Sequence, residues 1–184
     1  AAIPDDSRAR AVVLAVGNLR EAINRNEPYD KALEALNAVG DDDPDVKVAI
    51  MLLRKTAATG IPTLATLRDR FQAIAGRIVH ASKALEERGW LERAANRLSS
   101  LVTWRRVGDD GSDASVDAVV ARAEARLKAG ELKAAVDAVE SLSATPKAVA
   151  VAASWLADAK ARVAAEQAVA TLHVHAVSLL APAK

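Results

Sequence analysis

Cysteine is absent from all 184 residues. Disulfides and thiolate metal sites are therefore excluded, and the redox state of the compartment leaves no mark on the chain. Aromatic residues are nearly missing as well, at 3%. A core must then be assembled from Ala, Leu and Val, which suits close helix packing better than a sheet sandwich. No apolar run is long enough to span a bilayer. The longest stretch without Asp, Glu, Lys or Arg is 167–183, and it carries two histidines, Thr171, Ser178 and Pro182. A cationic start followed by an apolar segment is missing too, so no signal peptide is read. The first residue is Ala1 rather than methionine, and the chain reads as a processed or excised soluble piece.

Recognisable chemistry is equally scarce. His173 and His175 are two residues apart, about 200° around a helix, so they do not converge on one metal. The acidic run Asp41-Asp42-Asp43-Pro44 lacks the glycine and the distant bidentate acid of a calcium loop, and reads as a helix cap. The one glycine cluster, 108–111, contains two Asp residues that would repel phosphate. No nucleophile with a base stands out. The expectation is a non-enzyme, with no catalytic residue, no metal and no cofactor.

What the chain does contain is helical patterning, and an apolar fraction of 51% permits a buried core. A first helix is expected to reach Asn24 with Val12, Ala15, Val16, Leu19 and Ile23 inward, and a second to run over 28–39 with Leu33 and Leu36 inward. Asp43 with Pro44 starts a third, reaching about Thr59. A long helix follows over 63–88, its stripe formed by Leu64, Leu67, Phe71, Ile74, Ile78 and Leu85 and its stop by Gly89. Mid-helix Gly76 marks a close crossing or a weak spot.

Charge is distributed unevenly behind a net value of +1. Basic residues number 9 against 4 acids over 61–108, whereas they trail 8 to 10 on either side. Residues 90–102 read as an amphipathic helix, with Leu91, Ala94, Ala95, Leu98, Leu101 and Val102 on one arc and Arg93, Asn96, Arg97 and Ser100 opposite. No acid occurs over 93–108; Trp104 lies within the stretch and Trp90 just before it. This pattern suits an anionic lipid surface, where each basic side chain contributes about 1 kcal/mol. The competing reading makes the apolar arc core and the arginines its solvated back. The basic segment is too short, and the chain too close to neutral, to suggest nucleic acid.

The terminal block, 115–180, is punctuated clearly. Gly130 can close one helix in the left-handed conformation, and Glu131-Leu132 opens the next. Thr145-Pro146 starts a third, about 35 residues and roughly 50 Å long. Val119, Ala123 and Leu127 are expected to face Leu132, Val136, Val139 and Leu142. The long helix would seal along Val149, Ala152, Leu156, Ala159 and Val163, then along Val169, Leu172, Ala176 and Leu179 or Leu180. The fold class expected is all-α, a helical bundle of short hairpins with a long C-terminal helix.

This block resembles the C-terminal domain of the mitofilin family in three pieces: 121–127 with 130–136, 153–162 and 167–172. Gly89-Trp90-Leu91 and residues 101–108 are similar to the segment leading into that domain. Where the family often has Leu-Lys-Gly after the second helix, this chain has Leu142-Ser143-Ala144. The resemblance implies a membrane-shaping scaffold with an upstream membrane anchor and coiled coil, and a lipid-binding region just ahead of the C-terminal domain. It implies an alphaproteobacterial homologue at a bacterial inner membrane, with this region in the periplasm.

The division expected is an N-terminal helical region over 1–88 and a mitofilin-like domain over 89–184 that includes the basic helix, 90–106. Trp90, Leu91, Arg93, Arg97, Leu98, Leu101, Trp104, Arg105 and Arg106 are the candidate membrane contacts. Glu124, Leu127, Gly130, Trp155 and Leu156 are assigned to fold and assembly. Partners expected are an anionic phospholipid membrane, further copies of the chain and an outer-membrane or periplasmic protein, but no nucleic acid. The alternative function is a repeat-like, TPR-like helical adaptor that binds protein through its hairpin grooves and never touches lipid.

Overall fold

The computed structural model describes the backbone of residues 5–97 and 115–180, and the side chains of 7–82, 115–143 and 145–180. Among the described residues there are seven α-helices and no strand. They are α1 (Asp5–Asn24), α2 (Asp30–Gly40), α3 (Pro44–Leu53), α4 (Leu64–Arg97), α5 (Val116–Lys128), α6 (Leu132–Glu140) and α7 (Pro146–Ser178). The all-α expectation of short hairpins with a long terminal helix holds. The chain divides into two compact units, Ala1–Leu64 with Asp158–Lys184, and Ala65–Ala157.

In the first unit α1 and α2 form a hairpin. α1 stops because Asn26 adopts a φ of 59°, which lets Glu27 N donate to Ala22 O and Asn26 N to Ile23 O, the paired bonds of a Schellman ending. The expected inward residues Val12, Ala15, Val16, Leu19, Ile23, Leu33 and Leu36 are all buried. Asp43 caps α3 as expected, accepting from the amides of Asp45 and Val46. α3 is shorter than expected and passes into a 3-10 turn over Arg54–Thr56. The chain then reverses at Gly60, whose φ is 73° and where an added Cβ would lie 2.9 Å from Asn26 O. Tyr29 locks this reversal to the start of α2. Its amide donates to Ala57 O, and its hydroxyl donates to Leu53 O at 2.9 Å and pairs with Thr56. The ring is 1% exposed, and that burial pushes the hydroxyl pKa upward against the hydrogen bond from Thr56. The second half of α7 completes this core with Ala165, Ala168, Val169, Leu172 and Ala176.

In the second unit α5 and α6 form another hairpin. Gly130, with a φ of 84°, closes α5 as expected. Glu131 N donates to Arg126 O and Gly130 N to Leu127 O, so α5 ends with the same pair of bonds as α1. Val119, Ala123, Leu127, Leu132, Val136, Val139 and Leu142 are buried. α4 contributes Leu67, Phe71, Ala75 and Ile78 to the core, and α7 contributes Ala148, Ala152 and Trp155.

Three expectations change. Gly89 does not end its helix, because α4 continues to Arg97. An isolated glycine costs a helix only about 1 kcal/mol, and its neighbours Glu87, Arg88, Trp90 and Leu91 supply neither a proline nor a new cap to break it. Gly76 is no crossing point: it is exposed, with open space around its Cα. The seam of α7 is turned by about one residue in its first half, where Ala148, Trp155 and Arg162 are buried and Val149, Leu156 and Val163 are only half-buried. With alanine on every face of α7, periodicity alone does not select the seam, and the bulk of the indole does. Leu179 and Leu180 are exposed.

Candidate functional site

Of the nine candidate membrane contacts, Trp90, Leu91, Arg93 and Arg97 are carried on helical backbone, the final turns of α4. Leu98, Leu101, Trp104, Arg105 and Arg106 lie outside the described residues. No helix among the described residues is long and apolar enough to cross a membrane.

The residues assigned to fold and assembly occupy different environments. Trp155 is 2% exposed. Its ring tilts against Phe71 with centroids 4.7 Å apart, and its Nε1–H donates to Leu67 O at 2.8 Å, so both the apolar body and the polar edge of the indole are satisfied. Leu127 is buried, Leu156 half-buried and Glu124 exposed. Glu124 and Leu127 border a groove that is also lined by Arg68, Gln72 and Lys128.

A polar cluster that the residue spacing did not reveal lies at one end of the first unit. Asp43 uses Oδ1 to cap α3 and turns Oδ2 toward His175 Nε2 on α7. Asp45 Oδ2 is 3.3 Å from the other ring nitrogen, Nδ1. A carboxylate therefore faces each nitrogen of the imidazole. A protonated ring can donate to both, whereas a neutral ring donates to one only. Burial pushes the Asp43 carboxyl pKa up, but the hydrogen bond from His175 and the amides of Val46 and Asp45 outweigh it and hold the group below the usual range. His175 and the two acids have ligating atoms within 4.8 Å of one another, and in this structure the ring meets both carboxylates directly. The arrangement is that of a clasp, with the imidazole hydrogen-bonded to Asp43 and close to Asp45. Arg8 on α1 lies at the same end, donating to Val39 O at 3.0 Å and pairing with Asp41 and Asp42. These last two acids are mostly exposed, so the pairs contribute little to stability.

A second unforeseen residue is Arg162, which is 6% exposed. Its guanidinium donates to Ile23 O at 2.9 Å, to Asn24 Oδ1 at 3.1 Å and to Glu166 at 2.7 Å. It satisfies carbonyl groups at the C-terminus of α1, where a cation also complements the helix dipole. The sequence offered one signal for it, an arginine between Ala159 and Ala165 on an otherwise apolar helix face. The partner for His175 was signalled only by the cap motif, whose acid has a second oxygen to spare.

Comparison with known proteins gives the family context. The profile of the mitofilin family, described as mitochondrial inner membrane protein, matches residues 1–177. The chain is 32% identical over 169 residues to MICOS complex subunit mic60 of Talaromyces marneffei, covering 91% of this chain and 26% of that protein. It is 29% identical over 178 residues to the mic60 subunit of Emericella nidulans, covering 95% and 28%. With the Neurospora crassa subunit it shares 28% over 173 residues, covering 92% and 25%. The chain thus spans about a quarter of the length of these relatives. No solved structure matches it. The expected placement at a bacterial inner membrane, with this region in the periplasm, is overturned. The family is described as mitochondrial, and the relatives above are fungal subunits. That placement came from the resemblance alone, since helices rich in Ala, Leu and charge carry no imprint of the compartment. With nearly its whole length matched, the chain belongs to the mitofilin family.

Proposed function

We propose that this chain is the C-terminal, non-enzymatic part of a membrane-organising scaffold, acting by self-association and by shallow binding of the 90–106 segment to anionic lipid. The observation that carries the reading is the match over residues 1–177 to a family described as mitochondrial inner membrane protein, together with relatives named as MICOS complex subunits. The sequence of the segment supports the lipid part, since Arg93, Arg97, Arg105 and Arg106 accompany Trp90 and Trp104 without an acid over 93–108. An apolar arc of Leu91, Leu98 and Leu101 would enter the headgroup boundary while the guanidinium groups meet phosphates. In this division the N-terminal helical region, 1–88, supports the lipid-contacting region from 89 onward.

Vesicle co-sedimentation tests the proposal. The triple change R97E/R105E/R106E should weaken binding to anionic vesicles while circular dichroism remains that of the native fold. Undiminished binding would remove the lipid role of the segment. A second reading, a helical adaptor for another protein, is supported by the groove between α4 and α5 beside Glu124 and Leu127. It predicts no vesicle binding at all, and loss of partner capture when Glu124 is reversed to Lys.

A further inference from the structure

Among the described residues, no element covers the outward face of α3. Val46, Ala49, Ile50 and Leu53 fill the core, while Met51 is 73%, Leu52 61% and Val48 53% exposed. Burying one side of a helix leaves the opposite side for solvent, and solvent-facing positions are ordinarily polar. Three large apolar side chains spaced i, i+3 and i+4 form one exposed ridge instead.

The charges beside the ridge select its occupant. Lys47, Arg54 and Lys55 are exposed, and none is ion-paired among the described residues. At about 100° per residue along α3 and about 120° through the 3-10 turn that follows, the three cations fall with Met51, Val48 and Leu52 inside an arc of roughly 140°. No acid occurs between Asp45 and Asp69, and Asp45, at the edge of the arc, lies 3.3 Å from His175. A second copy docked face to face would set these cations against their own kind, which disfavours a symmetric contact. A surface with a negative outer layer over an apolar interior complements both components at once. That is the chemistry of an anionic bilayer, where lysine and arginine stay at the headgroups and the side chains between them enter the acyl boundary.

We propose that the outer face of α3, centred on Met51, Leu52 and Val48 and ringed by Lys47, Arg54 and Lys55, is a second lipid contact seated on an anionic membrane. The inference rests on the reading that the protein works at a membrane, but it concerns different residues from the 90–106 segment. Two separate contacts on one chain would raise its avidity for lipid without either one binding tightly.

Absence of cysteine makes the test direct. Single-cysteine versions M51C, W104C and E34C carry an environment-sensitive fluorophore and are mixed with phosphatidylcholine vesicles with or without phosphatidylglycerol. With anionic vesicles, label at position 51 should shift to the blue and be quenched by lipid-borne quencher, while label at the exposed α2 position 34 should not. The change K47E/R54E/K55E should weaken vesicle binding at least about fivefold, the equivalent of one lost basic contact. A label at 51 that stays in water while the label at 104 enters lipid overturns the α3 contact and leaves the first reading standing. A blue shift at 51 that grows with protein concentration in the absence of vesicles also overturns it, since the ridge then covers another protein copy. Silence at both positions, with no vesicle binding, removes both readings.

Discussion

Two hairpins in this molecule end in the same way, yet the units that contain them are fastened differently. α1 closes at Asn26 and α5 at Gly130 with equivalent backbone bonds. In the unit of residues 65–157, the fastener is an indole: Trp155 fills the core against Phe71 and makes one hydrogen bond. In the unit built from 1–64 and 158–184, polar groups reach across long stretches of sequence. Arg162 grips the end of α1, His175 is clasped by Asp43 and Asp45, and Tyr29 ties α2 to the end of α3. Apolar burial is non-directional, and an alanine-rich helix can slide along an alanine-rich groove at little cost. A planar guanidinium with three acceptors cannot, so it fixes the axial register of two segments that meet from opposite ends of the chain.

The contrast can be broken at the indole. Trp155→Ala should destabilise the protein by about 3–5 kcal/mol through lost burial and the cavity left behind. Hydrogen exchange should show amides of α5 and α6 losing protection before those of α1 and α2. Equal loss everywhere would mean that the two units unfold as one.

Removal of the guanidinium is the reciprocal test. Arg162→Ala should cost about 2–3 kcal/mol, because Ile23 O and Asn24 lose a buried charged donor, and protection should fall first in α1. Arg162→Lys should recover only part of the loss, since an ammonium cannot hold three acceptors in one plane. Full recovery in urea titrations would show that charge alone is needed. Tyr29→Phe should cost about 1 kcal/mol by deleting one buried hydroxyl bond, read as a shift of the urea midpoint with unchanged slope.

The clasp predicts a pH dependence. Asp43 is held below its ordinary range in the fold, so its contribution is present above the unfolded value of about 3.9 and is lost as pH falls through the lower folded value. Asp43→Asn keeps a good cap while removing the charge that faces His175. It should lower stability by about 1 kcal/mol at pH 6, with the difference from the native chain shrinking as falling pH protonates Asp43. A difference that persists at low pH would assign the effect to capping geometry rather than to charge.

Legibility differed by kind of residue. The caps and stops at Asp43, Gly60 and Gly130 could be read because each is a local backbone requirement. The inward faces of α1, α2, α5 and α6 could be read because their apolar residues alternate with charge. The seam of α7 could not, since alanine is compatible with core and surface alike and leaves several rotations equivalent. Of the candidate membrane segment, Trp90, Leu91, Arg93 and Arg97 continue α4 rather than starting a helix of their own, a consequence of Gly89 lacking a partner signal to stop it. Arg162 and His175 were invisible as site residues because their partners lie 132 to 139 positions away.

By itself, the sequence determined that the protein is helical, where most helices begin and end, and to which family it belongs. Scarcity of aromatics, helical periodicity and turn residues act over a few positions and need no tertiary knowledge. Only the tertiary structure decided which face of α7 is sealed, which acid meets His175, that a buried arginine joins the two ends of the first unit, and that the apolar ridge of α3 is exposed. Those outcomes depend on which distant surfaces come together, and short-range patterning carries no information about the pairing of elements more than a hundred residues apart.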